Sequence, residues 1–551
     1  MKRDLKTLAN TEFDLVIIGG GIYGAAAAWE ASSRGLSVAL VERGDFGHAN
    51  SANSQKIIHG GFRYLQHADF KRLRESVRER SILMRIAPHL IHPLPVLIPT
   101  YGRGLKSREI IALALKMYDC LSFDRNRSLP KDKHIPSGKT LSKEEVLDWI
   151  PCMPEQGLTG GGIFYDAQVY NSERLTLAFI QSAVEKGACV ANYVESTSFH
   201  LQNNRVAGLN VQDTLTKETF TIRGKNFINA SGPWVFELLK KLDSSKFSAP
   251  FPLVKSFNVI SRSLSKQAAF GLYGKNQYVD QDALLNKGSR LFFITPWRDH
   301  SVIGTFLSYY DKNPDNLAVT EQEIGQFLGD FNEACPKASI ERKDIALIHK
   351  GFLPSKELSP VKDVQISKQY RILDHSKEGF DGLISVIGVK YTTARDVMKK
   401  VLDRICERLG KSSSPSQTSQ TPLFGSPPVS FTEFLRSEKK PEHMDPKNFE
   451  SLLKNYGSEY TKVFKTLETP NTNEISEESL KKSQILYAAR KEMAVKLSDV
   501  IFRRTEWGTL GHPGRETLEF AGRIMGEELK WTPEKTKAEI QEVHSLFPFM
   551  Y

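Results

Sequence analysis

Gly19, Gly21 and Gly24 are spaced Gly-x-Gly-x-x-Gly near the start of the chain. That spacing can hold a pyrophosphate. The first glycine permits a tight turn, the second lets phosphates approach the backbone, and the third lets a helix pack closely on a strand. Glu42 follows 18 residues after Gly24. A carboxylate there can accept from a ribose 2′-hydroxyl and repels a 2′-phosphate. Two further groups can do chemistry. His59, Arg63 and Tyr64 lie close together, so an imidazole able to take a hydroxyl proton sits beside a guanidinium fork suited to phosphate or carboxylate. Lys390 follows an apolar run and Gly388, where a cation can steady developing negative charge.

The glycines need a strand before them and a helix after. Leu15-Val16-Ile17-Ile18 is a short apolar run of the kind a buried parallel strand requires. Ile22 to Arg34 is Ala-rich and helix-favouring, with Gly35 at the C-cap position. Ser37–Val41 is a second strand ending at Glu42, which completes one βαβ unit. Asp69–Ile86 reads as a basic helix, 88–99 as a Pro-rich passage, and Ser107–Phe123 as a helix apolar nearly all round. Strands are expected at Val206–Val211, Thr219–Ile222, Val254–Ser261, Leu291–Ile294, Ser301–Thr305 and Leu383–Ile387, the last followed by a helix through Leu409. Residues 411–430 hold seven serines and four prolines and read as a linker. The charged, helical remainder, 431–551, reads as a separate domain.

The 551 residues are 40% hydrophobic and 25% charged, which is globular and excludes a wholly disordered or collagen-like chain. Lys+Arg 75 against Asp+Glu 64 leaves +11, which permits an anionic partner without requiring one. No nucleic-acid motif accompanies that charge, so no nucleic-acid partner is expected. Five scattered cysteines without a Cys-x-x-Cys pair argue against a disulfide framework and a metal centre, and for a reducing compartment. The N-terminus lacks an apolar signal region, and no stretch reaches the roughly 18 apolar residues of a spanning helix. The expected location is cytoplasmic, with the inner face of the membrane as an alternative.

The fingerprint alone does not separate NAD from FAD. A chain that leaves a βαβ unit for over 180 residues and returns twice, at Phe227–Trp234 and Leu383–Lys390, suits a long ligand such as FAD. The motifs then resemble those of the flavin-dependent glycerol-3-phosphate dehydrogenases, a branch of the D-amino-acid-oxidase-like flavoproteins. The resemblance rests on GGGIYGAA, SANSQKIIHGGFRYL at 51–65, ERSILMRIAPH at 79–89, NASGPW at 229–234, GVKYTTAR at 388–395, and EMAVKLSDVIFRRT at 492–505. It implies an α/β fold: a Rossmann-type FAD-binding domain, interleaved over 1–410 with an antiparallel-sheet substrate domain (roughly 85–190 and 250–370), then a C-terminal helical domain.

The resemblance also implies roles. Gly19, Gly21, Gly24, Glu42, Ser51, Ser54, Lys56 and the amides of Gly60 and Gly61 would hold the cofactor, with Ala230, Ser231 and Gly232 on its phosphate or adenosine side. Gly388, Lys390 and Thr392 would lie by the isoalloxazine. His59, Arg63, Tyr64 and Lys390 would be catalytic, with Arg63, Tyr64, Asn258 and Lys368 toward substrate. The implied reaction moves hydride from a secondary alcohol carbon of glycerol 3-phosphate, or a related small polyol phosphate, to flavin N5. Electrons then pass to quinone or another acceptor. The implied partners are a small phosphorylated substrate, a quinone, a membrane surface and a second copy in a homodimer.

The substrate half departs from the family pattern. Gly-x-Arg-Pro is Gly351-Phe352-Leu353-Pro354, and Gly-Thr-Thr-Asp is Gly304-Thr305-Phe306-Leu307. The family's histidine is Asn258, and a downstream arginine is Lys368. Leu353 cannot clamp a dianion. A related flavoprotein oxidising a hydroxy acid or an amine is therefore the alternative reading. A membrane anchor and a buried helix are both open for Ser107–Phe123, which Lys106, Arg108 and Lys116 flank beside the basic residues Lys71, Arg72, Arg74, Arg78 and Arg80.

Overall fold

The computed structural model describes residues 1–102, 104, 107–247, 252–265, 267–274, 291–355, 364–411, 415–467 and 475–547. Lys106 and parts of the segments 250–370, 411–430 and 431–551 lie outside them. The chain divides into two compact units. The first comprises 1–52, 171–251 and 367–550, and the second 53–170 and 252–366.

The first unit is built on a six-stranded sheet ordered Arg371–Asp374, Leu383–Ile387, Phe227–Asn229, Leu15–Ile18, Val38–Val41, Cys189–Ala191. All pairs are parallel except the antiparallel edge pair of the first two strands. Leu15–Ile18, Val38–Val41 and Leu383–Ile387 are buried at every residue. That is why they read as unbroken apolar runs rather than as alternation. The helix Ile22–Ser33 follows the glycine turn and packs by Trp29 edge-on to Phe179, 5.4 Å between ring centres. A second sheet, Glu12–Phe13, Thr219–Gly224, Arg205–Asp213, Val194–Gln202, belongs to the same unit.

The segment expected as a linker is packed where it is described. Thr418 and Leu423 are buried. The Thr418 hydroxyl donates to Glu30, Arg395 donates to Thr418 Oγ1 at 3.2 Å, and the Phe424 amide donates to Ser182 Oγ at 2.8 Å. Its serines and threonines serve as hydrogen-bonding groups against buried charge, a use composition does not distinguish from solvation. Of the helices after it, Phe431–Ser437, Pro446–Tyr456, Tyr460–Phe464 and Glu477–Lys491 share an apolar cluster around Phe434, Phe449, Leu453 and Phe464. They pack with the first unit as its C-terminal helical domain.

The second unit is a nine-stranded sheet. Its order is Ile345–Pro354, Leu253–Arg262, His300–Tyr310, Leu291–Trp297, Ala269–Tyr273, Ile91–Tyr101, Leu158–Val169, Ile57–Ile58, with Lys139–Leu141 also on Leu158–Val169. Pairing is antiparallel throughout except at Ala269–Tyr273 with Ile91–Tyr101. The Pro-rich passage is thus mostly strand. Pro93, Pro95 and Pro99 share one parity, so their missing N–H groups fall along one edge.

Register divides this sheet into two faces. Phe257 pairs with Phe306, and its ring stacks on Phe306 at 4.7 Å and meets Phe327 of the helix Glu321–Ala334 at 5.5 Å. Asn258 alternates to the other face, where it pairs with His349. Leu353 and Leu307, paired with Val254 and Ser256, have the same parity as Asn258.

Candidate active site

The glycine turn is built as its spacing demands. Gly19 has φ +107, and a Cβ there would lie 2.6 Å from the Ala230 carbonyl oxygen. A Cβ on Gly24 would lie 1.8 Å from the Gly19 carbonyl oxygen, so strand and helix close only on glycine. Gly21 is the N-cap of Ile22–Ser33 and offers no side-chain cap. The helix N-terminus is therefore open to an anion through backbone N–H groups and the helix dipole. The Ile22 amide donates to Ser51 Oγ at 2.9 Å, and a Cβ on Gly21 would approach that oxygen to 3.1 Å. Glu42 is buried and accepts from the Gly20 amide at 2.7 Å and the Gly44 amide at 2.9 Å. Each carboxylate oxygen keeps acceptor capacity for a hydroxyl.

Ala230, Ser231 and Gly232 follow the strand Phe227–Asn229. Ser231 Oγ donates to Asn229 Oδ1 at 2.6 Å, and Gly232 has φ +60. Nearby on this unit the Arg43 guanidinium stacks on Trp234 at 4.1 Å. Gly388 is held against Tyr23, whose ring a Cβ would meet at 2.2 Å. The Tyr23 hydroxyl donates to the Lys390 carbonyl at 2.9 Å. Burial pushes the Lys390 ammonium down to about 8, and Thr392 is buried beside it in sequence.

In the second unit His59 and Asp166 form a pair the sequence reading did not contain. His59 Nδ1 lies 3.0 Å from Asp166 Oδ2, and the imidazole is 52% exposed. Burial alone would raise the Asp166 carboxyl. The hydrogen bond and charge of His59, the Arg80 guanidinium and the Gly60 amide outweigh it and leave the group below its ordinary value. An ionised Asp166 only accepts, so His59 carries its proton on Nδ1 and presents Nε2 as a base. Arg80 is fully buried, with Nη1 on Tyr118 Oη at 3.1 Å, the Tyr165 carbonyl at 2.6 Å and Asp166 Oδ1 at 3.3 Å. It is therefore a core cation and not part of the basic surface expected on Phe70–Ile86. The Gly60 amide donates to Asp166 Oδ1 at 2.6 Å, so the donor expected for the cofactor is already engaged. Gly61, φ +85, opens the short helix Phe62–His67, which displays Arg63 at the surface and Tyr64 half-buried under Arg72.

Lys56 is fully buried, with its ammonium 4.7 Å over the Trp297 ring and its amide donating to Ser54 Oγ at 3.1 Å. Burial, helped by the Lys56 charge, holds His349 neutral, down to about 3. Its Nδ1 donates to the Ser54 carbonyl at 3.1 Å. Asn258 Oδ1 accepts from Thr305 Oγ1 at 2.8 Å and Gln55 Nε2 at 3.4 Å. That orients Nδ2 as the group left to donate. Lys368 is half-buried in the first unit, whereas Asn258, Arg63 and Tyr64 belong to the second. Of the departures, Leu353 and Leu307 share a face with Asn258, while Phe306 lies on the opposite, helix-covered face.

The donor set fits a flavin dinucleotide: a helix N-terminus whose N-cap is a glycine with no side chain of its own to block the approach, with Ser51 Oγ at its first amide, and a buried acceptor at Glu42. The comparisons agree. Residues 14–385 match the model of the FAD dependent oxidoreductase family, and 416–536 match the C-terminal domain of alpha-glycerophosphate oxidase. The glycerol-3-phosphate dehydrogenase of Synechocystis sp. is 30% identical over 557 residues, covering 98% of this chain and 97% of that protein. The chain belongs to the FAD-dependent glycerol-3-phosphate dehydrogenase family. The aerobic glycerol-3-phosphate dehydrogenase of Staphylococcus aureus is likewise 30% identical over 552 residues, covering 98% and 95%. The crystal structure of glycerol-3-phosphate dehydrogenase from Bacillus halodurans complexed with FAD has the same fold, with a TM-score of 0.73 at 24% identity over 98% of this chain and 95% of that one. Members are oxidoreductases acting on CH–OH donors, and FAD is the cofactor.

Among the described residues no helix is long and apolar enough to cross a membrane. The helix Arg108–Leu121 buries Leu115 and Tyr118. It leaves Ile110 at 38%, Leu113 at 56% and Met117 at 44% exposure, with Phe123 just beyond at 79%.

Proposed function

We propose that the protein oxidises glycerol 3-phosphate to its ketone. The single observation that carries this reading is the 3.0 Å contact between His59 Nδ1 and the buried carboxylate of Asp166. A base so oriented takes the proton of a secondary hydroxyl at Nε2 as hydride leaves the same carbon. FAD, when bound, supplies the hydride acceptor. The glycine turn with Ser51 and Glu42 would grip the dinucleotide, supported by Ala230, Ser231, Gly232, Gly388 and Thr392. Lys390 contributes positive charge below about pH 8. Arg63, aided by Tyr64 and the Asn258 amide, binds the phosphate and hydroxyl groups. Anaerobic mixing with glycerol 3-phosphate should bleach the flavin absorbance, and His59→Gln should abolish the bleaching while leaving FAD bound. Bleaching of the variant at the wild-type rate overturns the assignment of His59.

A second reading keeps the flavin chemistry and changes the substrate to a hydroxy acid or amine. One observation favours it: Leu307 and Leu353 lie on the Asn258 face of the sheet, where a phosphate clamp needs cations. A substrate panel in the same bleaching assay separates the two.

We further propose that the electron acceptor is a quinone reached at a membrane surface on the cytoplasmic side. The support is the exposed row Ile110, Leu113, Met117 and Phe123, with Arg108 and Lys116 on the same helix. Co-sedimentation with anionic vesicles, lost in Leu113→Glu/Phe123→Glu, tests this. A homodimer is tested by light scattering.

A further inference from the structure

The tail motif at 492–505 has no part in the chemistry above, yet a densely bonded ion cluster of the first unit is built from it. Its last helical residues, Val500–Arg504, form a π-turn, a widening that recurs at functional positions. The turn brings two consecutive arginines onto one carboxylate. Arg504 forks onto Asp45, Nη1 to Oδ2 and Nη2 to Oδ1, both at 2.7 Å. Arg503 Nε reaches Asp45 Oδ2 at 2.5 Å, and its Nη2 reaches Asp499 Oδ1 at 2.6 Å. Asn192 Nδ2 adds a fourth donor atom to Asp45 at 3.0 Å. Arg504 Nε is fixed in turn on the Glu492 carbonyl at 3.0 Å, and the Glu492 carboxylate takes Arg174 Nη1 at 2.8 Å to each oxygen. Asp45, Asn192, Arg174, Glu492, Asp499 and Arg504 are buried, and the Arg503 side chain keeps 11% exposure. Burial would raise the Asp45 carboxyl, and the charges of Arg504 and Arg503 overcome it, leaving it well below the usual carboxylate range.

Asp45 sits within the loop that runs from Glu42 to Ser51. The Gly44 amide donates to Glu42. The Tyr193 amide donates to the Gly44 carbonyl at 2.9 Å, and His48 Nδ1 to the Asp45 carbonyl at 2.8 Å. The Gly47 amide donates to the Gly20 carbonyl at 3.0 Å, which ties the loop to the glycine turn itself. A Cβ on Gly20 would lie 2.7 Å from Phe46. At its far end the loop delivers Ser51 Oγ to the Ile22 amide, the first of the helix. A loop of turns has little stiffness of its own, so its position depends on what anchors its side chains.

We propose that Arg503 and Arg504 are positioning residues for the FAD site: the C-terminal helical segment clamps Asp45 and thereby sets Glu42 and Ser51 for the dinucleotide. The assignment rests on FAD binding at the glycine turn. It gives the C-terminal segment a function in cofactor retention.

The test uses the full chain stripped of flavin, with FAD titrated in and followed by fluorescence quenching. Arg503→Lys and Arg504→Lys keep the charge and remove the fork. Each should raise the FAD Kd tenfold or more while the flavin-free protein keeps its far-ultraviolet circular dichroism. Arg490→Met breaks the tail's surface pair with Glu528, formed at 2.6 Å, and should leave the Kd unchanged. Coupling separates positioning from general weakening. Once Ser51→Ala has removed the hydroxyl, Arg503→Lys should cost clearly less than in the wild type. A Kd within twofold of wild type in both lysine variants, or full additivity with Ser51→Ala, overturns the proposal. If Arg504→Lys does not fold, Arg503→Lys and Asp45→Asn still decide it. Wild-type protein that binds no FAD overturns the underlying cofactor assignment instead.

Discussion

His59 and Asp166 are 107 residues apart in the chain and 3.0 Å apart in the structure. The carboxylate that fixes the imidazole is itself fixed by Arg80 and the Gly60 amide. Asp166→Asn should therefore act on chemistry more than on binding. An amide at 166 can donate to Nδ1 and favour the wrong tautomer, and it removes the anion that stabilises the imidazolium. We expect kcat/KM to fall by about 10²-fold or more, with the acid limb of its pH profile displaced to lower pH. A variant with an unmoved profile and an unchanged kcat would remove Asp166 from the mechanism.

The glycines at 21 and 24 should fail differently. A methyl on Gly24 meets the Gly19 carbonyl at 1.8 Å, so Gly24→Ala forces helix and strand apart and should destabilise the flavin-free protein by about 1–3 kcal/mol. A methyl on Gly21 meets only Ser51 Oγ, at 3.1 Å. Gly21→Ala should fold normally and bind FAD weakly, and Gly21→Trp should not bind it at all. Thermal denaturation of the flavin-free variants, read beside FAD titration, checks the contrast. Equal losses of stability in Gly21→Ala and Gly24→Ala would contradict it.

Lys390 has its proton affinity pushed down to about 8 by burial. The folded flavin-free protein then binds fewer protons there than the unfolded chain between about pH 8 and the ordinary lysine value near 10.5. Stability attributable to this group must rise with pH across that window, because it is the charged form that burial penalises. Lys390→Met should be the more stable protein at pH 7, and its advantage should shrink as pH approaches 10. In the flavin-loaded enzyme the same substitution should lower the midpoint potential, with Lys390→Arg restoring most of it. Urea denaturation of wild type and Lys390→Met at pH 7 and pH 10 provides the first check. A stability difference that does not change with pH would mean that Lys390 titrates as an ordinary lysine.

Local signals in the sequence located much of this fold. Leu383–Ile387 and the turn from Ile18 into Ile22–Ser33 occupy the expected residues, because unbroken apolar runs and glycine spacing report directly on buried parallel strands and close backbone approach. Tertiary partnerships were not legible. Asp166 lies in the run Gly162-Ile-Phe-Tyr-Asp166-Ala-Gln-Val169, and its one signal was an acidic residue inside an apolar strand. Arg80 looked like one more charge on a basic helix, since burial of an arginine depends on a carboxylate supplied from elsewhere in the chain. Residues 411–430 looked like a linker because serine and threonine that cap buried charges have the composition of serine and threonine that face water. Phe306 seemed part of the eroded substrate half until the register placed it on the helix-covered face.

Register also narrows the question of substrate to Leu353, the position where the resemblance to the family implies an arginine at the substrate phosphate. It is half-buried, pairs with Val254, and shares its face with Asn258 and His349. On the proposed reading, without a cation there the phosphate of glycerol 3-phosphate is left to Arg63 and whichever lysines reach it. Losing one member of a buried charge pair costs roughly 3–5 kcal/mol. Wild-type protein should therefore oxidise glycerol 3-phosphate with a high KM. Leu353→Arg should lower that KM by about tenfold or more, which corresponds to roughly 1.4 kcal/mol, with little change in kcat because a remote phosphate is bound equally in ground and transition states. Arg63→Lys should raise KM in both backgrounds, since a point charge does not reproduce a planar fork. Steady-state kinetics on the four proteins measures the effects. A low wild-type KM would show that other cations complete the clamp, and an unchanged KM in Leu353→Arg would show that position 353 does not reach the phosphate.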